Sequence, residues 1–321
     1  MRLKIFYQPH GLGKRNYDYV RKFGMLAAFL LICLLLSLAT PNFFSLQNMT
    51  IVLRQVSING ILAVGVTFVI ITGGIDLSLG SVVALAGVVA ALFAHPGEYS
   101  LLVPIALALL VGAGIGGLNG LVITKGRVAS FIVTLGMMTI ARGLALVLSD
   151  GRPVTNLSES FNAIGGGNLA GIPIPILIFA LVVVLAIILL NHTRIGRYMY
   201  AVGGNEKAAY ASGVRVDRVK IIAFMICSAL AALAGIVLAS RINTGQPNAG
   251  VAYELDAIAA VVIGGTSLAG GIGSIGGTVL GVLLIGVINN GLDLLNISSY
   301  YQQIIKGVII IAAVLIDRKK E

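Results

Sequence analysis

Apolar runs of about twenty residues recur along the whole chain, and short polar connections separate them. A run of that length crosses the hydrocarbon core of a bilayer as an α-helix, in which every backbone hydrogen bond is satisfied internally. Charged residues make up 11% of the 321 residues, whereas soluble domains carry about 25%. The sequence therefore predicts an all-α fold, a polytopic transmembrane helical bundle.

The apolar runs predict about ten crossings, and no connection between them is long enough to form a soluble domain. The predicted crossings are residues 24–40, 51–71, 77–94, 101–123, 129–148, 172–190, 221–240, 253–266, 275–292 and 301–316. The run at 253–266 is short for about 30 Å of hydrocarbon, so we expect a break or shielding by neighbouring helices. The chain thus divides into a basic tail, 1–23, and a transmembrane domain, 24–321.

The basic residues predict the orientation of this domain. With the N-terminus inside, all but five of the 22 Lys and Arg residues lie on the inner side, in 1–23, 125–127, 191–220 and 318–320. An excess of Lys and Arg marks cytoplasmic loops. We therefore expect an inner-membrane protein with both termini cytoplasmic, and the net charge of +10 does not require nucleic acid as a partner. The first apolar run lacks a good signal-peptide cleavage site, which favours an uncleaved helix.

Two stretches share the pattern GG-x-x-L-x-x-G, at residues 73–80 and 264–271. Each follows an apolar, β-branched stretch and precedes a further crossing. One interpretation is a chance match in a chain with 41 glycines. The other is a parallel duplication of a helix–break–helix unit, in which Gly73, Gly74, Gly264 and Gly265 line a path through the membrane.

Asp76 lies directly before the third predicted crossing, and two roles are open for it. Its side-chain oxygen is suited to cap that helix by accepting backbone N–H groups. Alternatively, the carboxylate belongs to the translocation pathway. Gly73 and Gly74 are expected to permit the sharp turn that precedes it.

Several classes of active site are missing from the sequence. There is no G-x-x-x-x-G-K-[ST] motif to hold ATP phosphates, no recognisable catalytic set, and no pattern that indicates a cofactor or metal site. Cys33 and Cys227 lie inside apolar runs, where packing explains them. No Asp, Glu or His lies at the middle of a predicted crossing, which argues against proton coupling and fits a neutral substrate.

Three cations fall inside apolar runs, near the predicted outer ends of their helices: Arg54, Arg142 and Lys306. Long basic side chains in such positions commonly extend to interfacial water. The alternative is an outer funnel that hydrogen-bonds polyols or contacts a docking protein. Glu254 and Asp256 are predicted near the same face as candidate counter-charges.

The connection at 191–220 contains a predicted short helix. Asn205 is suited to cap it, Glu206 to its positive N-terminus, and Gly213 to its termination. With Ala208 and Ala209 exposed, this helix is a candidate for insertion into a groove of another protein. The alternative is an ordinary basic inner loop.

Five stretches resemble the permeases of bacterial ATP-binding-cassette importers, and specifically their ribose-type sugar branch. EKAAYASG (206–213) is similar to the coupling-helix motif of these permeases. ITGGIDLSLGS (71–81) and YELDAIAAVVIGGTSLAGG (253–271) are similar to signatures of the sugar branch. PNFF (41–44) and SSYYQ (298–302) add to the resemblance, which runs from about residue 24 to the C-terminus.

The resemblance implies partners that the composition does not. Two permease chains would form a homodimer in the membrane lipid, a separate cassette ATPase would hydrolyse ATP, and a periplasmic sugar-binding protein would deliver a small neutral sugar. ATP-driven switching would pass through the segment from Glu206 to Gly213, and this chain would not itself be an enzyme. Two other classes stay open: an ion-coupled secondary transporter of a small neutral solute, and a membrane scaffold.

Overall fold

The computed structural model describes residues 12–318, which form thirteen helices and one small hairpin. The helices are α1 (Leu12–Ala39), α2 (Leu46–Ile71), α3 (Leu79–Leu92), α4 (Leu102–Lys125), α5 (Ser130–Leu148), α6 (Glu159–Gly166), α7 (Ile174–His192), α8 (Arg194–Gly204), α9 (Glu206–Ala211), α10 (Val216–Ile242), α11 (Tyr253–Ile263), α12 (Ile275–Leu294) and α13 (Ser299–Arg318). The antiparallel strands β1 (Asn168–Leu169) and β2 (Ile172–Pro173) form the hairpin. The predicted all-α bundle is confirmed.

Within residues 12–318, six helices are long and apolar enough to cross a membrane: α2, α4, α5, α7, α10 and α12. Two shorter apolar helices accompany them, α3 and residues 24–39 of α1. Each of the ten predicted crossings coincides with a helix, including α11 and α13. Because α1 begins at Leu12, part of the predicted tail 1–23 is helical, and the rest of that tail lies outside the described residues.

Helix α10 lies at the centre of the bundle, where it packs against α2, α3 and α4. Helix α4 turns a stripe of glycines, Gly112, Gly116 and Gly120, towards it. A Cβ atom added at Gly112 would lie 2.6 Å from the carbonyl oxygen of Ser228, and one at Gly120 would lie 2.6 Å from the Cα atom of Ile221. Small residues let membrane helices approach closely, because lipid offers no hydrophobic drive for their association.

Side-chain caps explain where several helices begin. The capping side chains are those of Ser45, Ser158, Thr193, Asn205 and Ser274. A polar bridge also ties α2 to α12, since Asn48 and Asn290 exchange amide hydrogen bonds of 3.0 and 2.7 Å. Both amides are buried, so this pairing satisfies groups that lipid could not.

The segment that follows α10 re-enters the bundle. Residues 243–252, the re-entrant segment, begin with Asn243 in the left-handed conformation, at φ +55°. Gly245 then packs against Ala91, near the end of α3, whereas Gly250 packs against Gly80, in its first turn. The segment therefore runs antiparallel to α3 for about ten residues of that helix, or about 15 Å.

This path sets the position of two carboxylates. Glu254 and Asp256 lie in the first turn of α11, directly after the re-entrant segment. Asp256 is buried, and its carboxylate lies 2.8 Å from the Lys306 Nζ atom of α13. Asp256 is the fourth residue of the predicted crossing 253–266, so its burial does not contradict the prediction that no Asp, Glu or His lies at the middle of a crossing. Helix α11 has 11 residues, which confirms that the short crossing is broken.

Both glycine patterns interrupt helices, as predicted. The first break, residues 72–78, joins α2 to α3, and the second break, residues 264–274, joins α11 to α12. The two breaks touch at Gly270 and Gly73, and the Gly271 N–H donates at 2.9 Å to the carbonyl of Ile71, the residue directly before the first break. Their turns differ: φ is positive at Gly73 in the first break and at Gly265 in the second, which aligns with Gly74. The duplication stays a hypothesis, since the two stretches share a sequence pattern but differ in backbone conformation.

Candidate functional site

A charged cavity of about 570 Å³, the first cavity, lies beside the first break and α9. Gly73, Gly74 and Ser130 line it, together with Glu206 and Lys220. The Glu206 carboxylate accepts a hydrogen bond from the Lys220 Nζ atom at 2.6 Å. Two of the predicted pathway glycines and one predicted coupling residue thus face the same space.

A second cavity, of about 490 Å³, lies between α3, α5 and the start of α11. Ser81, Thr139, Arg142 and Glu254 supply its polar groups. The predicted outer-funnel residues Arg142 and Glu254 are therefore brought together in one cavity. Both cavities are lined by residues of α5. Both are also lined by residues of the stretch that runs from the first break into α3.

Asp76 is fully buried, and it shapes the first break rather than capping α3. Its Oδ1 atom accepts hydrogen bonds from the Ser78 N–H at 2.9 Å and the Ser78 hydroxyl at 2.6 Å. The cap prediction was wrong in its position: α3 begins at Leu79, and its N-cap residue is Ser78, whose side chain makes no capping bond. Asn119 of α4 extends the network by donating from its Nδ2 atom to Ser78 Oγ at 3.2 Å.

Arg142 bonds the backbone of the re-entrant segment. Its guanidinium donates to the carbonyls of Pro247 at 2.6 Å and of Ala249 at 2.7 Å, which fixes the re-entrant segment to α5. Arg54 lies elsewhere and donates to Asn168 Oδ1 at 3.1 Å. Lys306 pairs with Asp256, as the predicted counter-charge. The five predicted outer residues therefore form three separate groups.

The predicted coupling residues form the short helix α9 and its ends. Asn205 Oδ1 accepts the Ala208 N–H at 2.9 Å, as the sequence predicted. Ala209 is buried and Ala208 exposed, so only part of the expected alanine surface is free. Gly213 follows the helix at φ +83°, a conformation that L side chains rarely adopt.

Helix α8 contributes two residues that the sequence did not indicate. A Cβ atom at Gly203 would collide with the Ile71 carbonyl and lie 2.5 Å from the Gly271 nitrogen, so the backbone of α8 contacts the end of α2, directly before the first break, and the second break. The Tyr200 hydroxyl donates to the Gly273 carbonyl at 2.9 Å, and burial raises the pKa of this hydroxyl, which keeps it a donor. The only signal was the Gly203-Gly204 pair.

Gly264 and Gly265 are not among the residues that line the two cavities. A Cβ atom at Gly264 would meet the Gly277 carbonyl, so this glycine serves the close packing of α11 against α12. Within residues 12–318, no group of three His, Cys, Asp or Glu side chains is arranged to hold a metal ion.

A family model described as branched-chain amino acid transport system / permease component matches residues 48–314. The chain belongs to this family. It is 50% identical to the ribose import permease protein RbsC of Escherichia coli K12, over 92% of this chain and 93% of that protein. It is 49% identical to RbsC of Bacillus subtilis 168, over 95% of both chains. No solved structure matches it.

The predicted resemblance is confirmed, and the similarity extends to a permease named for another sugar. The chain is 41% identical to the L-arabinose transport system permease protein AraH of Escherichia coli K12, over 97% of its length and 95% of that protein. The permease family thus covers both cavities, both breaks and the helix pair α8–α9. The roles of the individual residues rest on their geometry.

Proposed function

We propose that the chain is the membrane-spanning permease subunit of an ATP-driven importer for ribose or a closely related simple sugar. The observation that carries the proposal is the similarity to ribose import permeases over more than nine tenths of the chain. Lower identity to an L-arabinose permease favours ribose within the sugar branch. The polar groups of the second cavity suit a neutral polyol, because hydroxyls both donate and accept hydrogen bonds.

The power for transport would come from a separate cassette ATPase, since the sequence has no phosphate-binding loop. Helix α9 is the proposed docking element: Tyr210 is 75% exposed, and its neighbours Lys207 and Ala208 are also exposed. The same end carries most of the basic residues, which supports a cytoplasmic position for it. Both termini would then be cytoplasmic, in the bacterial inner membrane.

Helix α8 supports a route from the docking element to the pathway. It ends one residue before α9, and Gly203 and Tyr200 contact the last residue of α2 and the second break. A displacement of α9 would therefore reach Ile71 through the backbone of Gly203, and Gly273 through the Tyr200 hydroxyl. Energy would pass to the breaks through these contacts.

Two further partners complete the proposal. Helix α5 exposes an apolar face that includes Phe131, Ile132 and Val147, beside the second cavity. A second copy of the chain is proposed to cover this face, so that the path forms between two copies. A periplasmic sugar-binding protein would deliver the sugar at the end of the bundle opposite α9.

Complementation tests the substrate and the power source together. Expression in an Escherichia coli strain that lacks its own ribose import permease should restore growth on ribose and uptake of labelled ribose, with arabinose a poor competitor. The purified chain alone, in liposomes with a proton or sodium gradient, should accumulate nothing. Accumulation without an ATPase would instead favour the ion-coupled transporter.

A matched pair of glycines tests the docking end. Gly213 and Gly151 both have positive φ and open space around the Cβ position, so alanine strains each by about 1–2 kcal/mol. Gly213 follows α9, and Gly151 lies in the loop after α5. Gly213→Ala should reduce sugar-dependent ATPase stimulation while Gly151→Ala leaves it unchanged; equal effects would remove α9 from coupling.

A further inference from the structure

The two cavities are separated by one layer of structure. On one wall, the first cavity ends at Gly74 and the second begins at Ser81. On α5, the first ends at Ser130 and the second begins at Met138. The intervening stretches, residues 75–80 and 131–137, belong to elements that pack against each other. Together these stretches form the partition between the cavities.

Hydrogen bonds between two α5 side chains and the backbone of Ile75 hold the partition together. The Ile75 N–H donates to Ser130 Oγ at 3.1 Å. The Thr134 hydroxyl lies 2.9 Å from the Ser130 carbonyl and 3.3 Å from the Ile75 carbonyl, so it shares its proton between its own helix and the break. Ile75 is thus held from both sides of its peptide unit. Neither bond is short, and both are made by the backbone of a non-helical segment.

Two acceptor atoms without donors lie at the partition, one on Asp76 within it and one on Asn119 of α4 beside it. Asp76 Oδ2 and Asn119 Oδ1 are buried and have no hydrogen-bond partner, although both residues are 0% exposed. Leaving such acceptors unsatisfied is costly and uncommon in folded proteins. A sugar that crosses this layer carries the hydroxyl donors that they lack.

We propose that the partition is this chain's part of the gate of the sugar path, and that this structure shows it closed by the contacts of Ser130 and Thr134 with Ile75. The inference rests on the proposed function, because it assigns the barrier within the same pathway. Opening separates residues 75–80 from α5, joins the two cavities and turns Asp76 and Asn119 towards the passing hydroxyls.

The gate is tested by leakage. Liposomes containing the permease with its ATPase subunit are loaded with labelled ribose, and efflux is measured without ATP. Ser130→Ala/Thr134→Val removes both contacts and should raise efflux about tenfold, since two ordinary hydrogen bonds change an open–closed ratio by roughly that factor. The control is Ser37→Ala/Thr50→Val, whose hydroxyls bond only carbonyls of their own helices.

A reversible bridge tests the same gate without weakening it. Cys33 is first replaced by Ser, while Cys227 is buried and stays. Ile75→Cys/Thr134→Cys is then bridged with a short bis-thiol reagent in the assembled complex. Bridging should reduce ATP-driven import at least tenfold, and cleavage with a reducing agent should restore it.

The outcomes separate this proposal from the proposed function. An assembled double variant that leaks no more than the control contradicts the gate, as does a bridged complex that still imports. Should Ser130→Ala/Thr134→Val fail to assemble, the bridge alone decides. A wild-type complex that imports no ribose overturns the proposed function instead.

Discussion

The two breaks share a sequence pattern but lie in opposite environments. In the first break, Gly74, Asp76 and Ser78 are buried, and side chains of the break, α4 and α5 hold its backbone. In the second break, Ala269, Ile272 and Ser274 are exposed, and helix α8 contacts it through Gly203 and Tyr200.

Although the two breaks have similar sequences, their different environments suit different mechanical roles. The first break is walled in between two cavities, which suits a barrier. The second is an accessible joint that contacts the proposed lever on one side and the first break on the other, through the Gly271–Ile71 bond. Duplication of a helix–break–helix unit does not require duplicated function.

The largest expected effect tests whether α11, the helix before the second break, depends on the ion pair between Asp256 and Lys306. Lys306→Met leaves the Asp256 carboxylate buried without a partner, which should cost about 3–5 kcal/mol of unfolding free energy. The Asp256 side chain is 9% exposed and that of Lys306 28%, so Asp256→Leu should cost less. Thermal unfolding of the purified chain in detergent measures both.

The double variant Lys306→Met/Asp256→Leu is the control for this pair. Because it buries no unpaired charge, it should recover most of the lost stability. Equal melting of the double variant and Lys306→Met would show that the charges do not interact.

The next largest effect tests the contact of Gly203 with Ile71 and Gly271. Gly203→Ala forces a methyl group against the Ile71 carbonyl and the Gly271 nitrogen, and should cost up to about 3 kcal/mol. The adjacent Gly204 has open space at its Cβ position, so Gly204→Ala should stay within about 0.5 kcal/mol. The measurements are thermal unfolding and sugar-dependent ATPase activity in the assembled complex. Indistinguishable variants would refute the contact.

The smallest effect concerns the interior of the first break. Asp76→Ala leaves the Ser78 N–H and hydroxyl without their acceptor, for a loss of about 1–2 kcal/mol. Asp76→Asn keeps an acceptor oxygen in place and should melt close to wild type. If Asp76→Asn melts as low as Asp76→Ala, the negative charge rather than the hydrogen bonds maintains the turn.

Features set by neighbours in the sequence could be predicted. The apolar runs predicted a helix at each of ten positions, six of which are long and apolar enough to cross a membrane. Asn205 and Gly213 predicted the two ends of α9, because capping depends on residues only a few positions apart. Asp256 was one of two candidate counter-charges for three cations, and the sequence did not indicate which cation it pairs with.

Features that depend on distant segments of the chain could not be predicted from the sequence. The re-entrant segment reads as an ordinary polar loop, and only the approach of Gly250 to Gly80 shows that it enters the bundle. Ser130 and Thr134 resemble other hydroxyls in membrane helices, which commonly bond their own backbone. Their contacts with Ile75 depend on how α3 and α5 are placed, and no local pattern records that.

The glycine contacts of the re-entrant segment also determine which parts can move. Gly245 and Gly250 meet α3 without intervening side chains, and Gly235 of α10 meets the Val83 carbonyl in the same way. Interfaces of this kind slide poorly, because a shift of one residue brings a bulky side chain against backbone. We therefore expect helix α3, the re-entrant segment and α10 to move as one body, and opening of the proposed gate to displace the Ser130 end of α5, because Arg142 ties the other end of α5 to the re-entrant segment. Distance probes placed on α5 and α10 would report that stroke, whereas probes on α3 and α10 would stay fixed.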